Sequence, residues 1–408
     1  MLVYFHGGAY ATGSGSSPLY EGARLVERGD VVVVTVNHRL GVFGYGYFSR
    51  LGAPESWADS GNLGQLDLIL ALQWVRDNIA HFGGDPANIT VFGQSGGGAK
   101  IATLMATPAA KGLFRKAWTM SGQQVTASGP LNATRRSEAF LDELGVKPAD
   151  IARIGALPTD ELVAALRAVD PVFGRGPVYF GPTLDMRSLK RHPFYPDAPA
   201  QSHAVPMVLG NTKDETRAFL SGDPKNFKLT WAELPDALAP QLPVDISPEW
   251  VVENYREMRP NMSPSEVFFA ATTAGRSWRG QVEEAERRAA SGAATWVYQL
   301  NWETPKDGGK LGAPHTLDIP LVFDTTGVRD ALSTDSAEAR SMATILSEAL
   351  LAFAKSGTPE TGLAPDWPQY TLAQRGTMIM DLPPRVEYDP RGDERRLFET
   401  VPYVQPGT

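Results

Sequence analysis

The chain has 408 residues, no cysteine, 42% apolar and 21% charged side chains, and a formal net charge of −8. That length suits one large α/β domain or two average ones, and the lack of cysteine excludes disulfides, thiol nucleophiles and cysteine-ligated metals. The acidic balance without any basic run argues against nucleic acid and anionic membrane as partners, and no apolar run reaches the ~18–20 residues of a membrane-spanning helix.

In chain order, Leu2–Phe5 reads as a buried strand. Met1 leads straight into it, with no basic segment or cleavage site of a signal peptide, so a cytoplasmic or secreted location stays open. The loop HGGAY, His6–Tyr10, follows. Val31–Val36 is a second strand, continuously apolar over its first four residues as expected of a strand covered on both faces. The run GVFGYG at 41–46 has its glycines misplaced for a dinucleotide loop. Residues 63–80 read as a helix, with Leu66, Leu70 and Trp74 at i, i+4 spacing and Gly83 and Gly84 just past its end. Ile89–Phe92 is a short strand, followed by a helix from about Ala99 to Met105 that Pro108 ends. Val205–Leu209 and Trp296–Leu300 complete the readable strands.

Such alternation predicts an α/β fold: a mostly parallel central sheet with helices on both faces, and ligands beyond the carboxyl ends of the strands. Two stretches, about 125–200 and 220–295, interrupt it and read as helical insertions packed near the sheet of one domain spanning 1–408. The second carries the charged run EEAERRAA, which reads as a solvated helix face.

The stretch FGGDPANITVFGQSGGG, residues 82–98, carries the chemistry. Ser95 stands where the strand Ile89–Phe92 must turn into the next helix, among Gly93, Gly96, Gly97 and Gly98. Glycine tolerates the sharp turn and the close backbone approach such an elbow needs. A serine displayed there suits a nucleophile, and a serine hydroxyl needs a general base. In this architecture the order is serine, acid, histidine. Of the histidines after Ser95, His203 precedes a strand and lies at the wrong sheet edge, and His192 sits in a Pro-rich insertion. His315 follows the strand Trp296–Leu300 at the proper edge. The acid should leave the strand Val205–Leu209, where Asp214 and Glu215 are equally placed by spacing. Asp185 and Asp318 are weaker alternatives, Asp318 being better suited to orient the His315 loop. The backbone N–H groups of Gly8, Ala9 and Gly96 are candidate donors to an oxyanion. The histidines lack metal-ligand spacing, and no cofactor is expected.

These segments resemble the type-B carboxylesterases, the cholinesterase-like family of the α/β-hydrolase fold. Residues 82–97 fit that family's serine signature, and 61–86, NHRLGVFG at 37–44, LGNTKDE at 209–215, GAPHTLDIPLVF at 312–323 and WPQY at 367–370 are similar to it as well. The resemblance implies Ser95 as nucleophile, Glu215 as the triad acid, His315 as base, and Gly8, Ala9 and Gly96 as the oxyanion hole. It further implies hydrolysis of small-molecule carboxylic esters through an acyl-enzyme. A catalytically silent binding protein of the same fold and an inactive truncated fragment are the rival readings. The sequence departs from the family where Gln94 replaces the usual Glu, which disfavours cationic choline-like esters, and where Thr216 replaces the usual glycine. Family members also carry a long segment before the His-Gly-Gly loop, including edge strands. Without them Val31–Val36 is expected at the sheet edge, where a partner could cover it. Oligomeric state stays open. Trp118, Phe173, Tyr179, Phe180 and Phe323 are candidates to line the pocket, although buried aromatics more often belong to the core.

Overall fold

The computed structural model describes residues 1–408. Its strands are β1 (Leu2–Phe5), β2 (Val33–Val36), β3 (Thr90–Gln94), β4 (Lys116–Met120), β5 (Met207–Thr212), β6 (Thr295–Leu300), β7 (Gly376–Met380) and β8 (Arg385–Tyr388). They form one sheet in the order β2-β1-β3-β4-β5-β6-β7-β8. Every pairing is parallel except β7 with β8. This is the α/β-hydrolase architecture expected above.

Successive strand side chains point to opposite faces, and each face has its own apolar layer. Leu2, Tyr4, Phe92, Trp118, Val208 and Tyr298 pack on one side with Met342, Leu346, Leu350 and Phe353 of a long helix, Ala337–Ser356. Val3, Phe5, Val91, Ala117, Leu209 and Val297 pack on the other with helix α1 (Leu63–Asn78) and helix α2 (Gly96–Ala106). Coverage on both faces is why these strands are apolar without alternation. Burial of each such side chain contributes ~1.5–3 kcal/mol. The insertions add two further clusters, one around Phe140, Ile151 and Phe180, the other around Val251, Tyr255, Phe268 and Phe269. No helix is long and apolar enough to cross a membrane.

Several expectations need correction. Of the stripe Leu66, Leu70, Trp74 only Leu66 touches the core: Leu70 and Trp74 are exposed, while Leu68, Leu72, Val75 and Ile79 are buried. Two apolar stripes compete on this helix, and the sheet takes the one containing the β-branched Val75 and Ile79. The run EEAERRAA lies on helix α3 (Arg279–Ala290), and Glu284 and Arg288 within it are fully buried rather than solvated. They are buried because they satisfy backbone groups: Glu284 accepts from the Gln124 N–H at 2.6 Å, and Arg288 donates to the carbonyls of Val205 at 2.7 Å and Ser202 at 3.3 Å. The second strand begins at Val33, forms the sheet edge, and buries only Val36 fully. Strands β4, β7 and β8 lie outside the sequence reading, since KAWTM, GTMIM and RVEY lack an apolar run bounded by turn residues.

Candidate active site

β3 ends at Gln94, and Ser95 takes φ 55° and ψ −126° before α2 begins at Gly96. A positive φ at a non-glycine residue is strained and persists only where its surroundings hold it. The Ser95 N–H donates to the Met120 carbonyl at 2.7 Å, and the Ser95 carbonyl accepts from Ala99 N–H at 3.0 Å, which fixes the elbow. The neighbours must be glycine: a Cβ at Gly97 would lie 1.9 Å from the Phe5 carbonyl oxygen, and one at Gly96 would lie 2.1 Å from that of Ala9.

β1 runs into the His-Gly-Gly loop, where Gly8 and Ala9 both have positive φ, 85° and 53°. The Gly8 carbonyl accepts from Ala11 and Thr12 N–H, closing a tight turn. The N–H groups of Gly8, Ala9 and Gly96 donate to no other group of the chain, and all three residues line one cavity with Ser95 and His315. Lys100 of α2 is fully buried beneath this loop and donates from Nζ to the carbonyls of His6 at 3.1 Å and Ala9 at 2.9 Å. Burial pushes its ammonium down to about 7.

Glu215 follows β5 and is fully buried. One carboxylate oxygen accepts from the Ser121 hydroxyl at 2.5 Å, the Thr212 N–H at 2.8 Å and the Asn211 amide at 3.1 Å, and the other pairs with Nδ1 of His315. Burial alone would raise this carboxyl, but the imidazole beside it and the hydrogen bonds from Ser121 and Thr212 hold it below its ordinary range. A proton on Nδ1 shared with Glu215 leaves Nε2 of His315 as the acceptor. That atom lies 3.2 Å from the Gln94 side-chain nitrogen. The Ser95 hydroxyl makes no hydrogen bond to the imidazole in this arrangement, and such contacts commonly tighten only with substrate bound.

Asp214, left open beside Glu215 by spacing, points elsewhere: it pairs with Arg217 at 3.2 Å and accepts from Ala313 N–H at 3.1 Å. Asp185 binds Asn62 at 2.9 Å, away from the imidazole. Asp318 is buried near Glu215 and accepts from the Tyr298 hydroxyl at 3.1 Å, and burial together with the Glu215 charge pushes it up to about 7. His192 accepts from Ala127 N–H, and His203 contacts the Ala198 carbonyl, so neither joins the group. Among the aromatic candidates, Phe173 and Tyr179 line the cavity of about 950 Å³, whereas Trp118, Phe180 and Phe323 belong to the apolar clusters. Sequence reasoning missed Ser121, Lys100 and Phe219, whose ring stands 4.9 Å from that of His315. Ser121 would have followed from reading KAWTM as a strand, since it is the next residue at the same sheet edge.

A model of the carboxylesterase family matches residues 1–398. The para-nitrobenzyl esterase of Bacillus subtilis is 34% identical over 98% of this chain and 79% of its own length. Human carboxylesterase 3 is 29% identical over 94% of this chain and 68% of its own. A solved carboxylesterase of Geobacillus stearothermophilus superposes with a TM-score of 0.84 at 35% identity, covering 97% of this chain and 82% of that one.

Proposed function

The chain belongs to the carboxylesterase family and is a carboxylic ester hydrolase, and from that premise we propose that it works through a covalent acyl-enzyme on Ser95, with Glu215 and His315 completing the triad. The observation that carries this reading is the buried Glu215–His315 pair beside a serine on a strained elbow. The Ser95 oxygen attacks the ester carbonyl carbon while Nε2 of His315 takes its proton. The carbonyl oxygen becomes an oxyanion and accepts from the otherwise unpartnered N–H groups of Gly8, Ala9 and Gly96. Collapse breaks the bond to the alcohol oxygen, which leaves with the proton from His315. Water then attacks the acyl-serine, gives a proton to His315, and the acid departs as Ser95 regains its hydrogen. Glu215 keeps the imidazole in one tautomer and stabilises its charged form without itself taking the proton. In this reading the chain acts as one α/β-hydrolase unit, because both insertions pack against a single sheet.

Ser95→Ala should abolish the burst of nitrophenolate from a p-nitrophenyl ester and covalent labelling by a fluorophosphonate. Persistence of the burst would overturn the role of Ser95. Wild-type protein that neither labels nor turns over would favour a catalytically silent binding protein.

A further inference from the structure

Two arginines face the reaction cavity and no acidic side chain does, although the chain as a whole carries a net charge of −8. Elsewhere in this fold a buried guanidinium is held either by a carboxylate or, as at Arg288, by several hydrogen bonds to backbone carbonyls. Arg136 meets Asp170 at 2.8 Å, and Arg391 is clasped by Glu394. Arg276 and Arg175 have no such partner. Arg175 donates to the Pro240 carbonyl at 2.6 Å. Arg276 is half-buried and makes no hydrogen bond from its guanidinium, which rests 5.2 Å over the ring of Phe219. That ring in turn stands beside His315.

The backbone explains how Arg276 reaches this position. Residues Ala274–Trp278 form a single π-helical turn between the helix Pro264–Thr273 and α3. The wider turn holds an extra residue, a feature often found at functional sites, and Arg276 and Ser277 both border the cavity. A half-buried cation without a counter-ion carries an uncompensated desolvation cost. Burial and the neighbouring charge of Arg175 lower the Arg276 guanidinium from its ordinary value, so a second cation aggravates that cost. The ring face of Phe219 offsets part of it, and an anion from outside would offset more. Gln94 at the imidazole is neutral, and the Glu215 carboxylate lies behind the imidazole rather than on the cavity wall, so no acidic side chain borders the cavity to meet such an anion.

We propose that Arg276, together with the exposed Arg175 on the same cavity wall, forms a carboxylate subsite, and that the enzyme prefers esters carrying a free carboxylate beyond the scissile bond. Suitable substrates are hemiesters of dicarboxylic acids and esters of carboxylated alcohols or phenols. The proposal rests on the ester-hydrolase reading above and specifies the substrate class of that same site. A guanidinium presents a planar fork of donors to a carboxylate, so charge and geometry both select.

The test compares kcat/KM for matched charged and neutral esters on wild-type protein. One arm sets p-nitrophenyl hemiglutarate against p-nitrophenyl valerate, with the charge on the acyl side. The other sets 4-acetoxybenzoate against phenyl acetate, with the charge on the leaving group. We expect a preference of about tenfold for the anionic ester on at least one arm, the order typical of a charge-assisted contact, and competitive inhibition of valerate-ester hydrolysis by glutarate. Arg276→Met should abolish the preference and Arg276→Lys should retain part of it, while substitution of the exposed Arg329 should leave the ratio as in wild type. Hydrolysis of neutral esters without anionic preference or glutarate inhibition in the wild type would overturn the subsite alone. Absence of turnover on all four esters, together with absence of fluorophosphonate labelling, would overturn the acyl-enzyme reading and the subsite with it.

Discussion

The ammonium of Lys100 donates to the carbonyl oxygen of Ala9 at 2.9 Å, holding from below the loop whose N–H groups border the serine. The same ammonium reaches the His6 carbonyl, so one buried cation ties the helix after Ser95 to both ends of the turn. No carboxylate contributes to this arrangement, and the cation is carried by carbonyl dipoles and the face of Tyr10 at 5.4 Å.

Lys100→Met should therefore lower kcat by about ten- to a hundredfold with a smaller change in KM, because each lost charge-assisted bond is worth ~1.5–3 kcal/mol and the loop acts mainly in the transition state. Stability has its own signature. The folded-state ammonium is lowered to about 7 from an unfolded value of 10.5. Between those values the unfolded chain binds more protons, so stability rises with pH across that window. Wild-type melting temperature, followed from pH 7 to 10, should gain on that of Lys100→Met. A constant difference would show that Lys100 does not titrate there.

Glu215→Gln removes the charge that holds the His315 imidazole while keeping the side chain's size. By analogy with other triads kcat should fall by about 10³–10⁴-fold. The lowered carboxyl also makes a stability statement: its contribution is present above the ordinary carboxylate range and is lost as pH falls through the lower folded-state value. Acid denaturation of Glu215→Gln should therefore show a shallower dependence on pH than wild type below about pH 4.5, the ordinary range of a Glu carboxyl.

Gln94→Glu places a carboxylate within reach of Nε2 of His315. A negative charge there favours the protonated imidazole, which cannot act as base. At neutral pH kcat/KM for a neutral p-nitrophenyl ester should therefore fall in Gln94→Glu. An unchanged kcat/KM would mean that the Gln94 side chain turns away from the imidazole in the working enzyme.

Gly96→Ala forces a methyl group against the Ala9 carbonyl, 2.1 Å away and part of the backbone. The loop must shift, at a cost of about 1–3 kcal/mol typical of overpacking. Activity should fall further than stability, because the displaced segment carries the candidate oxyanion donors. Equal losses in kcat and in the folded fraction would argue against a specific effect on the loop.

Much of this geometry was legible beforehand where local chemistry and global fold agree. β1 is four apolar residues closed by His-Gly-Gly, and the Ser95 elbow follows from strand, glycines and helix in succession. The pairing of Glu215 rather than Asp214 with His315 was not readable from spacing, because adjacent residues leave a turn in different directions. It followed instead from family likeness, and the structure has Asp214 turned to Arg217. Lys100, Glu284 and Arg288 were illegible for another reason. Their burial depends on carbonyls and N–H groups contributed by distant segments, and a charge with a buried partner looks, in sequence, like one in water.

The pairing of Phe5 with Gly93 across β1 and β3 works as a ruler. Gly8 lies three residues beyond one end of that rung and Ser95 two beyond the other, so the gap between nucleophile and donors is set by the ~4.8 Å spacing of neighbouring strands. Reactivity is thereby tied to the central ladder of the sheet, whereas Arg276 sits on a π-helical turn of an inserted segment, beside that ladder rather than within it. Substitutions in that turn are therefore expected to alter which esters fit while leaving the strand-set spacing of nucleophile and donors in place.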